Sequence, residues 1–322
     1  MAALTNDMAV AHRSRLRSGL LVAALSAASF GLSGSLARGL MNAGWSPASV
    51  VIVRVLLGAV VLLPAAVIQL RGDWKLLRRN AGLFAGYGLL AVAGAQLAYF
   101  NAVDHMAVGA ALLIEYTAPI AVVLYFWLRH SQRPTRATVL GAVIGIAGLV
   151  LVLDLRSGVS TSWIGIAWAL GAMVGAAGYF VLSTHGGDAV PGTVLATGGL
   201  LIGGFGILLA GLIGIVPLHA TTRSVAFEGF TTQWWTPLLA LGVITAAISY
   251  VTGIAATRLL GSRLASFAAL TEVLAAIVFA WLLLGETPHP VQFAGGALIL
   301  AGVVIVRLGE PRPTGDVAVS LS

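Results

Sequence analysis

The sequence predicts an all-α polytopic membrane protein with ten transmembrane helices in two inverted five-helix repeats. Hydrophobic residues make up 59% of the 322 residues and charged residues only 9%, and the mean hydropathy is +0.98. A soluble globular domain carries about a quarter of charged residues, so this composition excludes that class. The apolar residues fall into ten long runs, and the second half of the chain can be aligned with the first.

The ten runs are the predicted spans. A bilayer core about 30 Å thick is crossed by roughly 20 helical residues. Runs close to this length recur along the chain, separated by short polar segments. We therefore expect spans at about residues 18–40, 48–70, 81–101, 107–128, 137–153, 163–183, 193–216, 235–257, 263–284 and 291–306.

The net charge of +7 comes from basic residues in short clusters between the spans. Lys and Arg flank spans on the cytoplasmic side, so these clusters set the topology, and because they form no continuous face they exclude a nucleic-acid partner. With a cytoplasmic N-terminus, the basic residues collect inside, apart from Arg38, Arg156 and Arg223 outside and Arg54 within a span. Residues 1–17 and 308–322 are then cytoplasmic tails, and we expect a multi-pass protein of the cell inner membrane.

An internal duplication orders the spans. At a shift of 154 residues, Trp, Pro and Gly positions agree together: Trp127 with Trp281, Pro134 with Pro288, Gly141 with Gly295 and Gly148 with Gly302. At a shift of 144 residues the front of each half aligns, pairing Gly31 with Gly175 and Pro47 with Pro191. Five spans is an odd number, so the second copy is inverted relative to the first. The predicted repeats are residues 18–156 and 157–307, an architecture typical of secondary transporters.

Two acidic residues lie inside predicted spans, Glu115 in the fourth and Glu272 in the ninth. At 1.5 Å per residue each lies about 12–14 Å deep. A charge there costs roughly 3 kcal/mol or more and marks a functional site by default. Pro119 cannot donate a hydrogen bond to the carbonyl of Glu115, and Tyr116 adds a phenol to the same turn. We predict that these side chains bind substrate and that the two carboxylates carry protons; the alternative is a structural glutamate bonded to a helix backbone.

Arg54, in the second span, is the third ionisable residue within the membrane. Its counterpart in the second half is Gly198. Two interpretations stay open. Arg54 holds a carboxylate of the substrate, or it pairs with Glu115 and serves only structure.

Polar residues on other spans fit the wall of a cavity. They fall on the third, sixth and eighth spans: Gln96, Tyr99 and Asn101; Tyr179 and Ser183; Thr245, Ser249 and Tyr250. Such side chains also hold membrane helices together, and for each residue that is the alternative to substrate binding.

An enzymatic function is not expected. Gly31-Leu32-Ser33-Gly34 matches the Gly-x-Ser-Gly of intramembrane serine proteases, but a serine nucleophile needs a base within hydrogen-bond reach. The six histidines lie in tails or at span ends, and the chain has no cysteine. The sequence also contains no metal-ligand cluster and no phosphate loop, so no metal or cofactor is expected.

Several motifs together carry a family resemblance. They are Ser46-Pro47 followed by Arg54, Glu115-Tyr116-Thr117-Ala118-Pro119, Leu270-Thr271-Glu272, and Trp281-Leu282-Leu283-Leu284-Gly285-Glu286 with Gly295 and Gly302. Over residues 18–308 the chain resembles the EamA-type branch of the drug/metabolite transporter superfamily. The resemblance implies ten helices in two inverted repeats, peripheral helices five and ten, and a central cavity through which small metabolites are exported.

The segment from Glu115 to Pro119 is similar to the Glu-aromatic-Thr-Gly-Pro of threonine/homoserine exporters. Two departures are visible. Val273 stands where the family often has a proline after the glutamate of helix nine, and Ser131-Gln132 replaces a first-half copy of Gly285-Glu286.

The resulting hypothesis is a secondary-active exporter of amino acids or related small polar metabolites, driven by protons. Glu115 would bind the ammonium group of the substrate or carry a proton, Glu272 would be the second titrating group, and Arg54 would hold a carboxylate. An uptake permease or multidrug efflux pump of the same fold, and a lipid- or partner-binding membrane protein without solute flux, are the alternatives. Monomer and homodimer both stay open.

Overall fold

Apolar helices form most of the computed structural model, which describes residues 2–118, 120–121, 127–128, 134–153, 162–185, 190–253, 255–256, 259 and 271–309. In chain order the α-helices are α1 Ala2–Asn42, α2 Pro47–Leu70, α3 Trp74–Arg79, α4 Ala81–Gly86, α5 Ala95–His105, α6 Val108–Glu115, α7 Arg136–Leu153, α8 Trp163–His185, α9 Gly192–Leu212, α10 Trp235–Leu239, α11 Thr271–Leu284 and α12 Pro290–Gly309. Two π-helical segments, π1 Tyr87–Gly94 and π2 Ala240–Ile248, and two strands, β1 Val225–Phe227 and β2 Phe230–Thr232, complete the described elements.

The helices match a protein that crosses the membrane several times. Within the described residues, five are long and apolar enough to span a bilayer: Arg17–Asn42, Pro47–Leu70, Ala81–His105, Gly192–Leu212 and Trp235–Gly253. Four shorter apolar helices coincide with further predicted spans: Arg136–Val152, Trp163–Gly178, Thr271–Leu284 and Pro290–Ile305. Residues 263–270 of the predicted ninth span, and most of the fourth span beyond residue 121, lie outside the described residues.

The fourth span, in which the sequence predicts that a proline disrupts the helical hydrogen bonds, is interrupted after Glu115. Helix α6 ends at Glu115, and Tyr116 and Thr117 form a turn in which the N–H of Thr117 donates to the carbonyl of Ile114 (3.0 Å). The cause is local, because a proline at position 119 has no N–H for the carbonyl of Glu115. Glu115 therefore occupies the C-terminal end of a short helix and not the middle of a long one.

The third and eighth spans each contain a π-helical segment that the sequence analysis does not predict. Moving π1 (Tyr87–Gly94) forward by the 154 residues of the predicted repeat gives 241–248, which lies within π2 (Ala240–Ile248). π-Helical turns in α-helices are rare and occur often at functional sites. Two such segments at matching positions are therefore a shared structural feature of the two halves.

Packing between helices is also matched across the halves. Helix α1 packs on α11 and π2, and α8 packs on α6, α5 and π1; α2 contacts π2, and α9 contacts π1. Helices α2 and α9 pack on each other, as do α7 and α12. The predicted repeat pairs α1 with α8, α2 with α9, α6 with α11, α7 with α12 and π1 with π2. Exchanging the members of each pair turns these contacts into one another, apart from that of α8 with α5, whose counterpart at residues 249–259 is only partly described.

Helices α7 and α12 touch through glycines. A Cβ atom on Gly148 would lie 2.6 Å from the carbonyl oxygen of Gly295, and one on Gly302 would lie 2.5 Å from that of Gly141. These two contacts exchange with each other under the 154-residue shift. The absence of side chains lets the two backbones approach closely, as small residues do in membrane helix pairs.

Helix α2, which carries Arg54, has well-defined ends. Ser46 is its N-cap, and the Oγ of Ser46 accepts a hydrogen bond from the N–H of Ser49 (3.3 Å). Pro47 occupies the first helical position, where its missing N–H costs nothing. Arg71, in the left-handed conformation (φ 50°), ends the helix.

A β-hairpin between α9 and α10 is a second feature that the sequence analysis does not predict. Strands β1 and β2 pair antiparallel around Glu228 and Gly229, and Gly229 takes a positive φ of 79°. Phe227 packs on α1 at Gly39, where a Cβ atom would lie 2.4 Å from the phenylalanine ring. The N–H of Glu228 donates to the carbonyl of Leu283 (2.8 Å), so the hairpin joins α1 to the end of α11.

The glycine contacts between α7 and α12 predict a large cost for added volume. Replacing Gly302 with leucine should lower the stability of the detergent-purified protein by about 1–3 kcal/mol, since the side chain would force the helices apart. Thermal unfolding followed by size-exclusion chromatography measures this. Gly82→Leu adds the same volume where a Cβ atom would meet no packed neighbour within 4 Å among the described residues, and it should change stability far less. Equal losses in the two variants would contradict the close packing.

Candidate functional site

Arg54 is buried in the helix bundle, with 2% of its surface exposed, and its guanidinium is held by two other helices. Its Nε donates to Oγ1 of Thr245 (3.1 Å), and its Nη2 donates to the backbone carbonyl of the same residue (3.0 Å). Its Nη1 donates to Oε1 of Gln96. The guanidinium carbon also lies 5.4 Å from the ring centre of Phe100. We call Arg54, Thr245 and Gln96 the Arg54 clasp.

The π-helical segment π2 contributes to the Arg54 clasp. Thr245 lies within π2, and its carbonyl accepts the hydrogen bond from Arg54. The hydroxyl of Thr245 accepts from Arg54 and donates to the carbonyl of Leu241 (2.8 Å), so its orientation is fixed. A buried guanidinium needs such partners, because a charge left unpaired in an apolar interior costs several kcal/mol.

Glu115 is half-buried at the end of α6. Among the described residues, its carboxylate has neither a hydrogen bond nor an ion pair, and its charge interacts with those of Glu272 and Arg54. No ion pair joins Arg54 to Glu115 within 4.0 Å in the described part of the chain, so the interpretation of a direct Arg54 to Glu115 pair gains no support. Among the described residues, Glu115 therefore has a carboxylate that no protein group binds directly.

Glu272 is bound directly by Tyr116. The Tyr116 hydroxyl donates to Oε2 of Glu272 at 2.8 Å, and both residues are half-buried. This bond joins the turn after α6 to the first turn of α11, which belong to different predicted repeats. Arg54, Gln96, Glu115, Tyr116 and Glu272 together form the candidate site.

Two further predicted residues lie close to these charges. Tyr99 and Tyr250 both interact electrostatically with Arg54. The buried Tyr99 ring packs on Phe100 with 5.6 Å between ring centres, and Tyr250 meets Phe30 edge to face at the same distance. Their rings form aromatic walls beside the candidate site.

Two predicted residues bond within their own helices, and the side chain of a third is not described. The Asn101 amide donates to the carbonyl of Leu97 (2.7 Å), and the Ser249 hydroxyl donates to that of Ile244 (3.0 Å), both within their own helices. Ser26 on α1 donates to the carbonyl of Ser249 (2.9 Å), so Ser249 serves helix packing. Tyr179 lies on α8, and its side chain is outside the described part of the structure.

Two partners of Arg54 differ from what sequence reasoning gives. Phe100 is missed, because an aromatic residue in an apolar span carries no distinguishing signal. Thr245 is recognised only as a wall residue, and its link to Arg54 spans 191 residues. Spacing along the sequence cannot find such a pair.

The chemistry available at the site is the binding of charge. Two carboxylates and one guanidinium can hold an ammonium group, a carboxylate or a proton. Within the described residues no group of three potential ligands could hold a metal ion. An apolar groove of about 550 Å³ between α6, α11 and α12 has polar residues only near its 286–292 end. It offers no comparable set of charges.

Glu286, in the loop before α12, contacts the opposite end of α6. Its Oε2 accepts a hydrogen bond from the N–H of Val108 (3.0 Å), which is the first residue of the helix. Burial raises the pKa of Glu286 above its ordinary value, against smaller opposing effects of the Val108 N–H and of Arg38. Arg38 donates in turn to the carbonyl of Val103 at the end of α5.

A family model for the EamA-like transporter family matches residues 17–154 and 163–308. An uncharacterized transporter of Clostridium kluyveri is 25% identical over 265 residues, covering 80% of this chain and 83% of that protein. The threonine/homoserine exporter RhtA of Escherichia coli K12 is 31% identical over 226 residues, which cover 69% of each protein.

Two more similarities extend this picture. A Streptantibioticus cattleyicolor protein named "Probable terminal-alkyne amino-acid exporter" is 29% identical over 219 residues, covering 65% of this chain and 68% of that protein. A protein of known crystal structure superposes with a TM-score of 0.59 over 91% of this chain and 97% of its own, at 21% identity. This last likeness concerns the fold alone.

The raised pKa of Glu286 predicts a pH-dependent stability. A carboxyl whose pKa is raised by folding stabilises the fold while protonated, and this contribution is lost as the pH rises through the raised value. Glu286→Gln removes the charge and keeps an acceptor for the Val108 N–H. The wild type should therefore lose stability relative to this variant as the pH rises from 4.5, the ordinary pKa of this carboxyl, through its raised pKa.

Thermal unfolding of both proteins across this pH range measures the difference. Glu228→Gln on the exposed hairpin turn makes the same chemical change away from α6 and is the control. A stability difference between wild type and Glu286→Gln that is constant with pH would contradict the burial of this carboxyl.

Proposed function

The chain belongs to the EamA-like transporter family, and on this premise we propose that it is a secondary-active exporter of amino acids or related small polar metabolites. The names of two relatives, a threonine/homoserine exporter and a terminal-alkyne amino-acid exporter, support the substrate class. The apolar helices support a multi-pass location. We place the protein in the cell inner membrane with both termini in the cytoplasm.

The observation that carries this proposal is the half-buried Glu115 carboxylate, which has no hydrogen-bond partner among the described residues and faces the charges of Glu272 and Arg54. A carboxylate in that position costs free energy unless a cation or a proton joins it. The ammonium group of an amino acid and a proton both meet this need. They can therefore alternate at Glu115, which is the requirement for exchange of substrate against protons.

Glu272 and Arg54 complete the site. Glu272 is the second proton-carrying group, held by Tyr116, whose turn also carries Glu115. Three N–H groups of Arg54 are bound in the Arg54 clasp. The other two of the five that a guanidinium carries have no hydrogen-bond partner among the described residues and can bind a substrate carboxylate. Inward proton movement supplies about 2.3 kcal/mol per 100 mV of membrane potential, which can drive export.

Alternating access follows from the proposed inverted repeats, residues 18–156 and 157–307, flanked by tails 1–17 and 308–322. The matched positions of π1 and π2 and the exchangeable helix contacts support a duplication. Secondary transporters with such repeats bind substrate at the repeat interface and open to one side at a time. The bond between Tyr116 and Glu272 crosses that interface.

Glu115→Gln tests the central carboxylate. In proteoliposomes loaded with radiolabelled threonine, the variant should lose at least about tenfold of its efflux rate, because a neutral amide cannot neutralise an ammonium group or release a proton. The remaining efflux should no longer respond to an imposed pH gradient. Glu228→Gln makes the same change on the exposed hairpin and should leave efflux unchanged.

Wild-type efflux rate and pH dependence in the Glu115 variant would contradict the assignment. Flux only in the inward direction would favour an uptake permease, and efflux of unrelated cationic drugs would favour a multidrug pump. Flux of no solute by the wild type would favour a lipid- or partner-binding protein. Cysteine labelling at position 115, in this cysteine-free chain, would then show whether the site is open to water.

Tyr116→Phe tests the bond to Glu272. Loss of a hydrogen bond to a charged group costs about 1.5–3 kcal/mol, so the KM for threonine should rise by roughly tenfold or more. Glu272→Gln and the double variant complete a cycle. If the two residues act through their bond, the double variant should be no worse than the more impaired single variant, whereas fully additive losses would contradict the coupling.

A further inference from the structure

Gly31 is the first residue of the Gly-x-Ser-Gly motif on α1, to which the proposed function gives no role. It is buried and faces the first two turns of α11. A Cβ atom on Gly31 would lie 2.9 Å from the carbonyl oxygen of Glu272 and 2.8 Å from the backbone nitrogen of Ala276. Backbone atoms cannot rotate away as a side chain can, so a methyl group at this position would force α1 and α11 apart.

A second glycine brings α11 close to α6. A Cβ atom on Gly109 would lie 2.8 Å from Cγ1 of Ile277 and 4.0 Å from its Cβ, and its three nearest atoms among the described residues all belong to Ile277. Gly109 lies in the first turn of α6, and Ile277 lies in the second turn of α11. The approach of these two helices therefore depends on the missing side chain of one glycine.

Both contacts lie close to the hydrogen bond between Tyr116 and Glu272. Gly31 meets the backbone of Glu272 itself. Gly109 lies seven residues before Tyr116, on the helix that leads to it, and Ile277 lies five residues after Glu272. The bond is 2.8 Å long. Since hydrogen bonds between two oxygen atoms span about 2.5–3.0 Å, a movement of α11 away from α6 by about 1 Å would break it.

The predicted counterpart of Gly31 also lies against a turn that carries a side chain of the candidate site. This counterpart is Gly175 on α8, where a Cβ atom would lie 2.8 Å from Cα of Ala95. Ala95 directly precedes Gln96, which accepts a hydrogen bond from Arg54. In each half, a glycine thus lets one helix touch the backbone beside a site residue.

We propose that Gly31 and Gly109 are positioning residues for Glu272. Because they lack side chains, α11 packs against α1 and α6 closely enough for the Glu272 carboxylate to accept the hydrogen bond of Tyr116. The inference rests on the proposed function for its effect on transport, whereas the bond itself is a property of the fold.

Gly31→Ala tests this inference by moving α11. In the wild-type chain, Tyr116→Phe should lower the unfolding temperature of the detergent-purified protein, because it removes the bond to Glu272. In the Gly31→Ala chain the bond is already lost, so Tyr116→Phe should cause little further decrease. The KM for threonine in proteoliposomes should rise on the order of tenfold in each single variant and hardly further in the double variant.

Gly148→Ala is the matched control. It adds the same methyl group against rigid backbone, 2.6 Å from the carbonyl oxygen of Gly295, but in the contact of α7 with α12. This variant should lower the unfolding temperature as Gly31→Ala does. It should keep the wild-type KM for threonine and the full effect of Tyr116→Phe on both measurements.

Gly109→Ala tests the same inference from α6 and can be reversed. The added methyl group meets Cγ1 of Ile277, and Ile277→Ala removes that atom while leaving a Cβ atom at 4.0 Å, an ordinary contact distance. Gly109→Ala alone should raise the KM and remove the effect of Tyr116→Phe. Adding Ile277→Ala should restore both, and this pair decides the inference if Gly31→Ala does not fold.

The outcomes separate the inference from the function. A decrease in unfolding temperature on Tyr116→Phe that is equal in the wild-type, Gly31→Ala and Gly109→Ala chains overturns the positioning role. Loss of this effect in Gly148→Ala also overturns it, since a general loss of stability would then be responsible. A wild type that does not transport threonine overturns the proposed function, while the unfolding comparison still decides whether the two glycines position Glu272.

Discussion

The buried guanidinium of Arg54 imposes the strictest constraint on this structure. An unpaired charge in an apolar helix bundle costs several kcal/mol, so helix α2 must lie where other helices offer acceptors. Those acceptors come from the third and eighth spans, through Gln96 and Thr245. One side chain thus connects three spans from both halves of the chain. One of its acceptors is the backbone carbonyl of Thr245 in the π-helical segment π2, a group that in a regular α-helix accepts a hydrogen bond from the same helix.

Helix α6 ends at a backbone interruption and has a carboxylate near each of its ends. It is eight residues long, and a carboxylate lies near each end: Glu286 at its N-terminus and Glu115 at its C-terminus. The helix dipole favours a negative charge at the N-terminus and disfavours one at the C-terminus. Glu286 lies at the favourable end and accepts the Val108 N–H, although burial opposes its ionisation, whereas Glu115 lies at the unfavourable end. One helix thus acts in opposite ways on the two carboxylates, which agrees with the proposed binding part of Glu115.

The two halves of the chain share some features and differ at Arg54. Matching π-helical segments and exchangeable helix contacts relate the two halves. The difference between Arg54 and Gly198 gives the site one positive side. The Tyr116 bond to Glu272 then connects the halves at the carboxylates themselves.

The sequence by itself determined which segments are helical and which residues are exceptional. Long apolar runs have few alternatives to membrane helices, and Arg54, Glu115 and Glu272 stand out because charges are rare in such runs. The Ser46-Pro47 start of α2 is likewise a local signal. Asn101 and Ser249 cannot be assigned from sequence in this way, since a polar side chain in a span can donate a hydrogen bond to a carbonyl of its own helix as readily as it can face a cavity.

Only the tertiary structure decided the partners. Thr245 meets Arg54 across 191 residues and Tyr116 meets Glu272 across 156, distances over which no spacing rule operates. The π-helical segments and the β-hairpin between α9 and α10 depend equally on neighbouring elements, because rare backbone geometry and short strands gain their stability from what they pack against. Apolar runs are a property of the chain, whereas pairing of buried charges is a property of the space between helices.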